Sequence, residues 1–456
     1  MTEFPLRMTG FALGMTGMAM IVLLSGCKSR VSSDLRNLSA TADFLDAVIP
    51  DAVIQVEASD ATDNDAVMDQ IRMQLKYFFV GQLKGRSAGS DFNRAQITII
   101  SRTGSDLDAP VSERNLVEVH YSARFTVAWP KGTEFPKIFS VIMPGTVKGT
   151  GFTKFTETFS ENCNDGEETD ISNPWHYRPE ESKCPLAPLA SGPGTAYGIL
   201  NMSTIPVSRS RIAAVLQPAK PDKNPEYDRV WEDGQMNALL IYAKDAPGSN
   251  SPDDVGSAEF NRAYANLMTA FGKSTNGAKI YEDGKGPFPE KNSAELIFGN
   301  IGTDGTKTMK VKIILVDSIE GIANPEAIAS ASRDAEFIYY GGHSGYGRNI
   351  RGLFDFLEYP AGLYRLYFFD GCNSFDYMNA ALNEKVKAAN PGSPASKYAD
   401  VMSNALPAPF DDAPPSVKIL VAFAGSNTSY RQILADVDAD TLSVVEGEED
   451  NGAPFP

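Results

Sequence analysis

The apolar positions of this chain change rhythm partway along. In the first half the period is mostly two. Val117, Val119, Tyr121, Ala123, Phe125, Val127 and Trp129 alternate with polar residues. That alternation predicts a long antiparallel strand with one buried face. His120 falls on the opposite, solvated face. Shorter strands are expected at Ala52–Ala58, Ile97–Ser101 and Lys137–Met143. Val67, Met68, Ile71, Leu75, Phe78 and Phe79 recur instead at helical spacing.

After Gln217–Gly234, a charged stretch broken by prolines, the pattern becomes short apolar runs alternating with helical stripes. Asn237–Ala243, Lys310–Val316, Phe337–Tyr340, Leu366–Phe369 and Val417–Phe423 read as strands. Phe260, Tyr264, Leu267, Met268 and Phe271 form a helical stripe, and Pro325–Asp334 and Phe375–Lys387 read as helices. Continuous apolar strands alternating with helices predict a doubly wound parallel sheet covered on both faces. The expected class is therefore α/β: a β-rich accessory domain over 46–216, a linker over 217–234, and a parallel-sheet domain over 235–440. Residues 27–45 read as a polar tether with a short helix. Residues 441–456, with Glu446, Glu448, Glu449 and Asp450, read as a solvated acidic tail. No internal repeat is visible.

At 456 residues the chain is long enough for two or three domains. Its net charge of -17 argues against a nucleic-acid partner, because phosphate binding needs basic patches. Asp60, Asp63 and Asp65 are an acidic cluster without the spacing of a calcium loop, and read as a solvated turn. No cofactor and no metal are expected.

The N-terminus carries a short apolar stretch, Phe11–Leu24, too short for a bilayer span. It ends in Leu24-Ser25-Gly26-Cys27, which resembles the lipobox of bacterial lipoproteins. The resemblance implies cleavage after Gly26, so that 1–26 is a signal peptide, and diacylglycerol on Cys27. The implied location is the bacterial cell envelope, anchored to the membrane by that lipid alone. Lys28, rather than Asp, after the Cys implies the outer membrane.

Cys163 and Cys184 bracket a polar loop containing Trp175, His176 and Tyr177. Export would place them in an oxidising compartment, where a disulfide is expected. A zinc site using His176 is the alternative, but it lacks a fourth ligand at familiar spacing.

The chemistry concentrates between Glu336 and Ser374, which reads EFIYYGGHSGYG, a spacer, then YRLYFFDGCNS. Each apolar run ends in a Gly-containing turn, one bearing His343 and the other Cys372. Parallel sheets place ligands at the carboxyl ends of their strands. An imidazole and a thiol there are the parts of a nucleophilic site. Gly342-His343-Ser344 could also belong to a serine-hydrolase elbow, but that arrangement needs a histidine after the serine. His343 is the last of three histidines in the chain. The same order excludes a papain-like site and leaves only His-before-Cys chemistry.

Tyr340-Gly341-Gly342-His343 and Asp370-Gly371-Cys372 resemble the strand ends of caspase-like cysteine peptidases, which include caspases, metacaspases, gingipains, legumains and clostripain. The resemblance covers the C-terminal half. It implies a caspase-like domain with His343 and Cys372 as a catalytic dyad cleaving a peptide or protein substrate. It further implies an oxyanion hole from the backbone amides of Cys372 and of Ser344 or Gly345, and a substrate pocket lined by Asp370 for Arg or Lys. Ser344 stands where these families have Gly, and the caspase signature around the cysteine is absent. A catalytically inactive lipoprotein acting as a binding or scaffolding module is the alternative.

Overall fold

Two adjacent strands near the start of the described chain tie both halves of the molecule together. The computed structural model describes residues 37–447, apart from 105–115, 137–138, 192–196, 203, 250, 252, 273–280, 283–291, 320–321, 323–324, 379, 410–413 and 439. Cys27 and its flanks, and Glu448, Glu449 and Asp450, lie outside the described residues. Strand β1 (Asn37–Ser39) joins the C-terminal sheet, and β2 (Ala42–Glu57) opens the N-terminal one. The end of the expected tether is thus built into the fold: Leu38, Ala42 and Leu45 are buried. Polar residues between them hid two short apolar faces.

The N-terminal half continues through α1 (Asn64–Lys76), β3 (Gly89–Ser90), β4 (Gln96–Gly104), β5 (Leu116–Pro130), β6 (Ser140–Pro144), α2 (Gly149–Phe159), α3 (Ala187–Ser191), β7 (Gly198–Met202), β8 (Ile205–Arg211) and β9 (Ala213–Leu216). Strands β2, β3, β4, β5 and β9 form one antiparallel sheet, and β6, β8 and β7 a second. The odd-numbered residues of β5 from Val119 to Trp129 are buried, as their alternation requires. In β2 the register shifts between Ile49 and Ala52, where Pro50 has no N–H to donate to the ladder. Asp63 caps α1, accepting from the amides of Asp65 and Ala66. The helix widens over Tyr77–Leu83 and sinks Phe78 and Phe79 against Phe125 and Phe139, with Phe79 and Phe125 centroids 4.6 Å apart. Cys163 and Cys184 are joined as a disulfide beside this core, their Cα atoms 4.7 Å apart.

The C-terminal half runs α4 (Tyr227–Val230), β10 (Gln235–Ala243), α5 (Val255–Phe271), β11 (Tyr281–Glu282), β12 (Ser293–Ile301), β13 (Lys307–Val316), α6 (Pro325–Ser332), β14 (Phe337–Gly341), α7 (Arg348–Phe356), β15 (Arg365–Asp370), α8 (Ser374–Tyr377), α9 (Ala380–Ala389), β16 (Ala399–Asn404), α10 (Pro415–Gly425), α11 (Tyr430–Val437) and β17 (Ser443–Glu446). Its sheet has the order β1-β17-β16-β15-β14-β10-β13-β12-β11. The central strands β13, β10, β14, β15 and β16 are parallel, and antiparallel strands flank them. The fold is thus mixed α/β: a large mixed sheet with a parallel centre, beside two antiparallel sheets. Alternate residues face opposite layers. Leu240, Tyr242 and Tyr339 meet α5, α10 and α11, while Ile241, Ile338 and Tyr340 meet α6, α7 and α9.

Three expectations for this half are corrected. Val417–Phe423 is helical, within α10, not a strand. Pro415 starts the helix, and Ile419, Leu420 and Phe423 form its buried side. A short apolar run alone cannot separate the two states. The Phe375–Lys387 helix is broken into α8 and α9. The start of the acidic tail is strand β17, and Glu446 is buried in a two-pronged pair with Arg94.

The segment between the halves is not a loose tether. Tyr227 donates to the Thr428 carbonyl at 2.6 Å, and Trp231 Nε1 to that of Phe423 at 3.1 Å. The halves also meet directly. Ala42, Phe44 and Ala128 share an apolar cluster with Phe375, Ala405, Leu406 and Val444. A Cβ on Gly89 would lie 2.0 Å from the Ala405 carbonyl oxygen, so only glycine permits this approach. The Ser90 amide donates to Asp376 Oδ1 at 2.9 Å. No described helix is long and apolar enough to cross a membrane.

Candidate active site

The parallel strands reverse their direction of travel across the sheet between β10 and β14. The chain winds from β10 out to β13, then returns past β10 to β14 and on to β15. Such a switch point opens a crevice at the carboxyl edge. Three chemically capable side chains stand at that edge, each two residues beyond its strand: Asp245 after β10, His343 after β14 and Cys372 after β15.

Strands β14 and β15 pair in register, with Gly341 opposite Asp370, so their following turns are neighbours. The turns touch: a Cβ on Gly371 would come 3.0 Å from the Gly342 oxygen and 3.4 Å from the Ser344 nitrogen. The Ser344 amide therefore lies against the Cys372 turn, and Gly345 follows it with φ +57°. Gly342, at φ +152°, passes so close to β10 that a Cβ would lie 2.7 Å from that of Ala243. The His343 carbonyl is held by the Tyr340 hydroxyl and by Asn349 Nδ2, both donating at 2.8 Å.

Asp245 is the residue that the sequence reading missed. Its Oδ1 lies 2.7 Å from His343 Nε2, with both side chains about half exposed. Its own turn is fastened by Asp254, which accepts from the Ala246 amide at 3.0 Å and from Ser257 at the start of α5 at 2.9 Å. An Asp directly after an apolar run and Lys244 was the available signal.

Cys372 is a free thiol whose Sγ donates to the Ala408 carbonyl at 3.7 Å. Burial pushes this thiol above its ordinary value, and the nearby charge of Lys84 opposes that rise. Lys84 comes from the N-terminal half. Its Nζ sits 3.9 Å over the Trp175 ring and 3.9 Å from Asp165. Burial, then Arg178, lowers the Lys84 amine to about 8. The cysteine thus sits in an environment supplied by both halves.

Asp370 is engaged by its neighbours. Tyr339 donates to Oδ2 at 2.6 Å from β14, and Asn404 donates to Oδ1 at 2.6 Å from β16. Its pairing spans three adjacent parallel strands.

His120 pairs with Asp51 at 3.0 Å on the outer face of the N-terminal sheet, away from any strand-end chemistry. His176 lies between Asp165, at 3.1 Å, and Glu168, at 3.2 Å. Asp165, Glu167 and His176 bring ligand atoms within 4.8 Å of one another. Arg178 and Lys84 lie 3.3 and 3.9 Å from the Asp165 carboxylate, so two protein cations already offset its charge. Among known proteins the chain matches no family model, no curated protein and no solved structure.

Proposed function

We propose that this chain is a lipid-anchored cysteine peptidase of the caspase-like type, working through Cys372, His343 and Asp245. The observation that carries this reading is the convergence of a carboxylate, an imidazole and a thiol at adjacent parallel strand ends, in a linear order across the switch point. With Asp245 on Nε2, proton exchange with the reacting groups runs through His343 Nδ1. The carboxylate fixes the tautomer and the orientation of the ring.

The chemistry is acyl transfer. Cys372 sulfur attacks the peptide carbonyl carbon, and the oxyanion is received by the amides of Cys372 and Ser344. The C–N bond breaks as His343 gives its proton to the leaving amine. Water then adds to the thioester with His343 as base, releasing the acid and restoring the thiol. In the resting site the thiol is neutral and bonded to Ala408, so substrate binding must displace that contact before attack. A preference for Arg or Lys is the narrower part of the proposal. A basic side chain would have to join Tyr339 and Asn404 as a third partner of Asp370.

A fluorogenic peptide panel tests the reading. Cys372→Ala and His343→Ala should each abolish hydrolysis, and the double variant should be no worse, because the residues act as a unit. Substrates with Arg or Lys before the cleaved bond should be favoured, and Asp370→Ala should erase that preference. The anchor is tested separately: Cys27→Ala should stop processing and fatty-acid labelling, and equal labelling would end the lipoprotein reading.

The raised thiol and its bond to Ala408 favour a second reading, a binding lipoprotein with a retained but idle site. Its mark would be a Cys372 that reacts no faster with a peptide reagent than with a plain alkylating agent.

A further inference from the structure

Where the two halves meet there is a cavity of about 420 Å³, separate from the strand-end residues. Met73, Val80, Phe92 and Pro174 give it apolar walls from the N-terminal half. Tyr346, three residues after His343, and Tyr377, five after Cys372, close it from the C-terminal half. Its rim is fastened by the Tyr346 hydroxyl, which donates to Asn173 Oδ1 at 2.8 Å.

Other polar groups at this cavity lack partners. The Tyr377 side chain is 4% exposed, and its hydroxyl makes no hydrogen bond with any described residue. Lys76 lines the cavity, and neither it nor Arg351 pairs with a carboxylate among the described residues. Arg351 stands beside Tyr377: a Cβ on Gly347 would lie 2.5 Å from Arg351 Nη1 and 2.7 Å from Tyr377 Cβ. Each cation is held below its ordinary value by burial, and Lys76 further by the charge of Arg351. In a chain with 58 acidic and 41 basic residues, Lys76 lines this apolar cavity and Arg351 stands by its Tyr377 wall, both without a carboxylate partner among the described residues.

An anion that brings an apolar body would fit this combination. It would pair with Lys76, offset the charge of Arg351 beside Tyr377, and fill the walls. We propose that this cavity binds a peptide through a carboxylate set next to a large apolar side chain. Its use as a substrate subsite rests on the peptidase reading; binding itself does not. The carboxylate could be an acidic side chain or a free C-terminus, and the two sources differ only in the peptide that presents them.

The test is direct binding to the full chain carrying Cys372→Ala, so that cleavage plays no part. The probes are Ac-Leu-Phe-Glu-NH2, Ac-Leu-Phe-Gln-NH2 and Ac-Leu-Phe-OH, followed by calorimetry. A peptide bearing a carboxylate should bind at least about tenfold more tightly than the Gln amide, and the gap should shrink with salt. Tight binding by the Glu amide alone assigns a side chain, and by the free acid alone a C-terminus. Lys76→Met and Arg351→Met should each erase most of the gap. Equal binding of the Glu, Gln and free-acid peptides, no binding by any of them, or an undiminished gap in folded Lys76→Met would overturn the proposal. Intact binding together with no hydrolysis by the chain that keeps Cys372 would fault the peptidase reading alone.

Discussion

The two halves of this molecule use β-structure for different ends. In the C-terminal half β14, β15 and β16 are buried on both faces up to Asp370, and the candidate reactive groups stand at or past the strand ends. Asp245, His343 and Cys372 each emerge two residues past a strand. In the N-terminal half the long strand β5 buries one face and leaves the other to solvent. Its contribution to the site comes through side-chain reach: Lys84 from the widened helix end and Trp175 from the disulfide loop. Parallel strands fix positions, and the antiparallel half supplies environment. That division holds only if the halves are one folding unit, and the contacts between them are where it can be broken.

The largest effect is expected at the buried ion pair that joins the halves. Glu446 is 1% exposed, and Arg94 is its charged partner. Arg94→Ala would leave a buried carboxylate uncompensated, a loss of about 3–5 kcal/mol. Urea unfolding followed in both halves should keep one coincident transition at a lower midpoint. Two separated transitions in the wild type would show instead that the halves are independent domains.

The next effect is a pH dependence at the same junction. Burial pushes the fully enclosed Asp91 carboxyl up to about 7, and the buried Asp376 is raised as well. A raised acid is held more tightly to its proton in the folded state. Its stabilisation is complete below the unfolded value near 4 and is lost as pH rises through about 7. Between those limits Asp91 contributes a fall of up to about 1.4 kcal/mol per pH unit. Asp91→Asn keeps an oxygen for the Thr126 amide, now at 2.7 Å, and should flatten this part of the stability profile. An unchanged slope in chemical unfolding between pH 4 and 7 would remove Asp91 from the account.

The smallest effect tests the reach of one half into the other. Lys84 lowers the Cys372 thiol against the larger effect of burial. Lys84→Met should shift the pH profile of iodoacetamide alkylation upward by a fraction of a unit, about twofold in rate at fixed pH. No shift would mean that the N-terminal half covers the site without tuning it.

Much of this arrangement was legible in the chain. The runs ending at Tyr340 and Phe369 are short, apolar without a break and closed by Gly-containing turns, a pattern that suits strands covered on both faces. The turns after them carry the candidate imidazole and thiol, His343 and Cys372. The β5 alternation and the paired Cys163 and Cys184 were equally readable. What escaped depends on contacts distant in sequence. Glu446 looks like part of an acidic tail until Arg94 is placed opposite it. Strand β16, Ala399–Asn404, is buried throughout yet reads as polar, because the hydroxyls of Tyr364 and Tyr430 donate to Asp400 Oδ2 and Asn404 pairs with Asp370 and Ser443. Asp245 follows the same two-past-the-strand rule as His343 and Cys372, but its place after an apolar run is a weak mark that gains meaning only when the strand order makes it their neighbour. Lys84 and Trp175 had no local mark at all.

The central claim is that Asp245, His343 and Cys372 form one reactive unit. It is tested most directly by the rate at which a peptide chloromethyl ketone alkylates Cys372, read by peptide mapping in the wild type, Asp245→Asn and His343→Ala. The account predicts rapid, site-specific labelling in the wild type, a loss of about tenfold in Asp245→Asn and of about a hundredfold or more in His343→Ala. Equal labelling rates in all three proteins would contradict it.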